Sequence, residues 1–153
     1  MVDDSQLVTA IAAQLALIPE VMALLAADNP IDAYIDENPA RNSTDRATYQ
    51  MQSGQLLIIW KDTRLQRETM GKWLHTVEIC VKALPDQSIM QLIAAVVNGV
   101  PNPGDGMVWR NCPVMAGVLA TEITETALRP NTEGVEYGVI VTETLETGDY
   151  PNP

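Results

Sequence analysis

Two stretches near the C-terminus are nearly the same text: Thr121-Glu122-Ile123-Thr124-Glu125-Thr126 and Thr142-Glu143-Thr144-Leu145-Glu146-Thr147. Each lies in a run rich in Val, Ile and Thr, residues that suit a pleated, half-buried surface. The segment Pro130-Asn131-Thr132-Glu133-Gly134 separates the runs with turn residues. The pattern predicts two paired strands, over 114–128 and 135–145, with glutamates on an exposed face. From residue 111 onward Arg129 is the only basic residue, so that face is expected to be negative. A negative sheet without catalytic residues suggests a protein that works by presenting a surface.

A second hairpin is expected upstream. Leu56-Leu57-Ile58-Ile59-Trp60 reads as a buried strand within 55–65. Trp73, His75, Val77, Ile79 and Val81 then alternate with Leu74, Thr76, Glu78, Cys80 and Lys82, which is the period-two signature of a strand with one apolar face.

Helical spacing frames these strands. Val8, Ile11, Leu15, Ile18, Met22 and Leu25 recur at steps of three and four, behind a cap at Asp4 or Ser5. Pro19 interrupts the stripe, which predicts a break and a short second helix to about residue 27. Ile89, Leu92, Ile93, Val96 and Val97 form another helical stripe, capped by Asp86 or Ser88 and ending near Gly99. A short strand is expected over 31–36, a long polar loop with Arg41 and Arg46 over 37–54, and an extended tail over 148–153. The expected class is α+β: an antiparallel sheet of two long hairpins with helices on one face, in the order α-(β)-ββ-α-ββ, as a single domain over 1–153.

Composition limits the functions such a fold can serve. The 153 residues carry a formal net charge of −11. That opposes broad nucleic-acid binding, which needs Lys and Arg to displace phosphate counterions, and opposes docking on anionic membrane. No apolar run is long enough to span a bilayer, and Asp3-Asp4 stands where a signal peptide would be basic. Production in the cytosol is expected. Cys80 and Cys112 are unclustered and read as free thiols of a reduced compartment.

The usual chemical signatures are missing from the text. The single histidine, His75, sits mid-strand on the apolar face and reads as a core or interface residue. There is no CxxC or HxxxH spacing for zinc and no GxGxxG or GxxxxGK[ST] phosphate cradle, while Gly104-Asp105-Gly106 reads as a turn. Asp3-Asp4 and the Glu122/Glu125 set lack the spacing of an EF-hand. Trp60, Trp73 and Trp109 read as core or interface anchors. No enzyme activity and no cofactor are expected.

The chain resembles the tail-terminator and tail-completion proteins of long-tailed bacteriophages. The likeness is carried by the short amphipathic helix over 5–18 and the polar loop after it. It is carried also by the 56–60 and 73–81 strand blocks, the helix over 88–97 crossing to a second hairpin, and the ending Leu145-Glu146-Thr147-Gly148-Asp149-Tyr150-Pro151. The resemblance implies a virion protein assembled in the host cytoplasm. It would form a ring, commonly a hexamer, that caps the tail-tube protein and binds the head connector or completion protein. DNA would pass through the lumen without specific binding, and a negative lumen would repel phosphates. Under that reading Glu122, Glu125, Glu143 and Glu146 lie on or near the lumen, and the loop holding Arg41 and Arg46 is an interface arm.

Three other classes remain. One is a different phage structural component: a head-completion, decoration or tail-tube subunit. Another is a cytosolic binding module whose acidic sheet takes a basic partner. The last is a hydrolase, which would require Glu122 and Glu143 buried together in a cleft.

Overall fold

The structure, a computed structural model, describes residues 2–34, 48, 50–66, 72–98, 114–130, 134 and 136–147. In chain order its elements are α1 (Asp4–Ala16), α2 (Pro19–Met22), β1 (Ile31–Tyr34), β2 (Gln55–Gln66), β3 (Lys72–Lys82), α3 (Ile89–Asn98), β4 (Val118–Pro130) and β5 (Glu136–Glu146). The five strands among the described residues form one sheet in the order β1-β2-β3-β5-β4. All pairings are antiparallel except that of β1 with β2, which is parallel. The class is therefore α+β on a mostly antiparallel sheet, and the parallel edge strand departs from the fully antiparallel sheet expected.

Local chemistry sets the element ends. Asp3, one residue ahead of the expected cap, holds extended backbone, and its carboxylate accepts the Ser5 and Gln6 N–H groups at 2.8 and 3.3 Å. Two otherwise orphaned helix donors are thereby satisfied. Pro19 does break the stripe: it opens α2 at the first helical position, where its missing N–H costs nothing. The second helix stops at Met22 instead of reaching residue 27. The chain then turns through Asn29, which takes a left-handed φ of 45°. Ahead of α3, Ser88 accepts from the Leu92 N–H at 3.1 Å through its carbonyl and from the Gln91 N–H at 3.4 Å through its hydroxyl. The strand expected from residue 114 begins at Val118, because Gly117 turns the chain at φ 89°.

The main core lies between the helices and one sheet face. Leu7, Val8, Ile11 and Leu15 of α1 and Leu92, Ile93 and Val96 of α3 pack with Leu56, Ile58, Val77, Ile79, Val81 and Ile140. Each fully buried aliphatic side chain of this kind is worth roughly 1.5–3 kcal/mol relative to exposure. A smaller cluster, with Leu57, Ile59, Cys80, Tyr137 and Val139, lies on the opposite, outer face. The alternation follows directly from the pleat.

Residues 37–47 and 49 of the expected polar loop, with Arg41 and Arg46, lie outside the described residues, as do Trp109, Cys112 and the 148–153 tail. Residues 50–54 lead into β2. Gly54 accepts the Ala26 N–H at 2.9 Å and donates to the Lys82 carbonyl at 2.8 Å, at φ 76°.

Candidate functional site

The twin Thr/Glu stretches are neighbours, in antiparallel register. Thr121 faces Thr144, Glu122 faces Glu143, and Ile123 faces Thr142. The register then shifts between Ile123 and Glu125, leaving Thr124 as an extra residue, so that Glu125 faces Val141. A step of three along a regular strand reverses the face. The bulge absorbs one residue and returns Glu125 to the face of Glu122. β5 carries no extra residue between Glu143 and Glu146, because the shift opposite Leu145 and Glu146 is taken up by Leu119 of β4, so these two point to opposite faces.

The outer face consequently carries Glu122, Glu125 and Glu143 but not Glu146. The expectation of four exposed glutamates is corrected at that residue: Glu146 is 5% exposed and lies under the helices. The outer face is also less uniformly negative than expected. Arg64 of β2 reaches Glu143 Oε1 at 3.5 Å, and Arg129 reaches Glu125 Oε1 at 3.3 Å. Pairs this exposed are worth about 0–1 kcal/mol each, so they shape the surface charge more than the stability. Glu122 has no ion-pair partner among the described residues and faces a like charge in Glu143, a locally unfavourable arrangement. Glu122 and Glu143 meet on this face, and Glu122 is exposed, so they do not form the buried pair that hydrolytic chemistry would require.

The helix-side face holds a different cluster. The register sets Thr63, His75, Thr144 and Thr121 in one row across β2, β3, β5 and β4. His75, Thr121 and Thr144 are buried. Thr121 and Thr144 share a hydroxyl–hydroxyl hydrogen bond of 2.9 Å. Thr63 Oγ1 lies 2.8 Å from His75 Nδ1, accepts the Trp60 indole N–H at 3.0 Å and donates to Asp4 Oδ1 at 3.0 Å. Asp4 Oδ1 also stands 3.3 Å from His75 Nδ1. On the other side of the ring, Glu146 Oε2 lies 3.2 Å from Nε2, while Glu146 Oε1 accepts the Val2 N–H.

A histidine bracketed by two carboxylates invites a catalytic or metal reading. The ring is fully buried, so a substrate has no approach to either nitrogen. The carboxylates also stand at opposite ring nitrogens, and three donors so placed do not converge on one ion. Among the described residues no group of three or more His, Cys, Asp or Glu is arranged to hold a metal. The expected role of His75 as a core residue fits its burial, but its partners escaped the sequence reading. The available signal was the threonine hydroxyls placed on an otherwise apolar strand face.

A cavity of about 440 Å³ opens beside β1 and the start of β2. Its polar lining is mostly amides, from Asn29, Gln50, Gln52 and Gln55, with Asp32 as its one carboxylate among the described residues. The described residues of its lining include no paired acid and base. Cys80 is a buried free thiol, and burial, followed by the nearby Glu78 charge, pushes its ionisation well above that of an ordinary cysteine. A reactive cysteine has the opposite surroundings. No helix among the described residues is long and apolar enough to cross a membrane. The chain matches no protein-family model and no curated protein sequence.

Proposed function

We propose that the chain is a structural subunit of a bacteriophage tail, of the terminator or completion type, acting as a ring between tail tube and head connector. The observation that carries the reading is the outer face of β4 and β5. It presents Glu122, Glu125 and Glu143 together on two adjacent strands at one edge of the sheet. The resemblance of the strand blocks and of the 88–97 helix supports the same assignment. In a ring, three carboxylates per subunit repeated around a lumen would repel passing DNA, and the arginines at Glu125 and Glu143 would temper that field. Glu146 takes no part in it. The partners are other copies of the chain, the tail-tube protein and the head connector, within a virion.

Charge reversal tests the proposed surface. The combined substitution Glu122→Lys, Glu125→Lys and Glu143→Lys should leave the thermal unfolding midpoint nearly unchanged, because Glu122 and Glu125 are exposed and Glu143 is half-buried. It should turn an assembly indifferent to DNA into one that retains DNA, with affinity falling steeply as salt rises. A reversed assembly that stays indifferent to DNA would reduce the glutamates to a solvated face.

A further inference from the structure

We propose that His75 and Glu146 share a single proton, and that this proton fastens the N-terminal residues to the end of the sheet. The argument is hydrogen-bond arithmetic. The Trp60 indole can only donate, so Thr63 Oγ1 accepts from it. The one Thr63 hydroxyl proton goes to Asp4 Oδ1. We assign the hydrogen at the contact between His75 Nδ1 and the same Thr63 oxygen, 2.8 Å long, to Nδ1, which also stands 3.3 Å from Asp4. A neutral ring would then turn the bare lone pair of Nε2 toward Glu146 Oε2, 3.2 Å away. Both atoms are buried, and neither has another hydrogen-bond partner. One proton between them removes the conflict, whether it sits on nitrogen or on oxygen. Without it, two electron-rich atoms oppose each other out of reach of water, a costly arrangement.

The surroundings leave this proton little competition. From the N-terminal segment and α1, Asp4 faces the ring, and from β2, Thr63 does. From β5 come Glu146 and Thr144, and from β4, Thr121 on the far side of Thr144. Asp62, Arg64, Glu78 and Glu143 occupy the opposite face by register. The mechanical consequence follows from Glu146's other oxygen, which holds the Val2 N–H. When the proton leaves, repulsion turns the Glu146 carboxylate from the ring, and the bond to Val2 is lost with it. The device is thus a clasp that closes with the proton present and opens as pH rises. It does not depend on ring assembly.

Amide hydrogen exchange on the full chain tests this across pH 6 to 9, corrected for intrinsic rates. Protection of the Val2 and Leu7 amides should fall with rising pH, approaching about tenfold per pH unit once the proton is lost. Protection in α3 should stay level over the same range. In Glu146→Gln the amide donates to Nε2 and its oxygen still accepts from Val2, so the pH response should vanish. As a measurement on the unaltered chain, the ¹⁵N-labelled imidazole, single in this sequence, should lose its proton over the interval in which protection falls. A level profile in the unaltered chain, an equal fall in Glu146→Gln, or a ring that titrates outside that interval each overturns the proposal.

Discussion

Single residues decide which face of the sheet carries charge. Glu143 and Glu146 stand three apart along β5, so period two puts them on opposite faces, a division missing from the expectation of four glutamates on one surface. The reunion of Glu122 with Glu125 was not legible, because it depends on a bulge between Ile123 and Glu125 that no residue announces. His75 could be read as buried from its alternation with Val77 and Ile79. Its contacts with Asp4 and Glu146 could not, since they join segments distant in sequence. Cys80 offers a test at this scale. Its folded thiol ionises at higher pH than an unfolded one, so the native state keeps a proton that the unfolded chain begins to lose above about pH 8.5. The contribution is intact below that pH and declines above it. Denaturation of Cys80→Val should therefore show a shallower alkaline loss of stability than the unaltered chain, by up to about 1.4 kcal/mol per pH unit. Equal slopes would mean that the thiol is not held neutral by the fold.

At the level of elements, strong periodicity was decisive and short segments were not. The α1 stripe, the break at Pro19 and the β2 and β3 blocks were readable because each repeats its pattern over several turns or pleats. β1 has four residues, and its parallel pairing is set by β2 rather than by its own text. The first cap shifted to Asp3 because Asp3, Asp4 and Ser5 are all competent caps, and packing of Leu7 and Val8 chooses among them. The seat of α3 depends on a missing side chain. At Gly138 a Cβ would lie 2.7 Å from both Ile93 Cδ1 and Val81 Cγ2. Gly138→Ala should therefore lower the urea midpoint, at a cost of about 1–3 kcal/mol for overpacking, without a change in slope. A variant as stable as the parent would show that α3 sits less tightly on β5.

Across the sheet, three of the four glutamates in the twin stretches lie on the outer face, and the fourth, Glu146, is drawn against the polar row on the helix side. The first group is proposed to meet passing DNA, and the second residue is proposed to hold the N-terminus in place. The α+β class could be inferred from patterns along the chain, whereas the division of the glutamates between faces required strand register. The central claim is assembly at a tail end, and electron microscopy of the purified protein mixed with tail tubes tests it most directly. The account predicts closed rings seated on tube ends, with the outer face of β4 and β5 turned toward the lumen. Protein that remains monomeric and leaves the tube ends bare would contradict it.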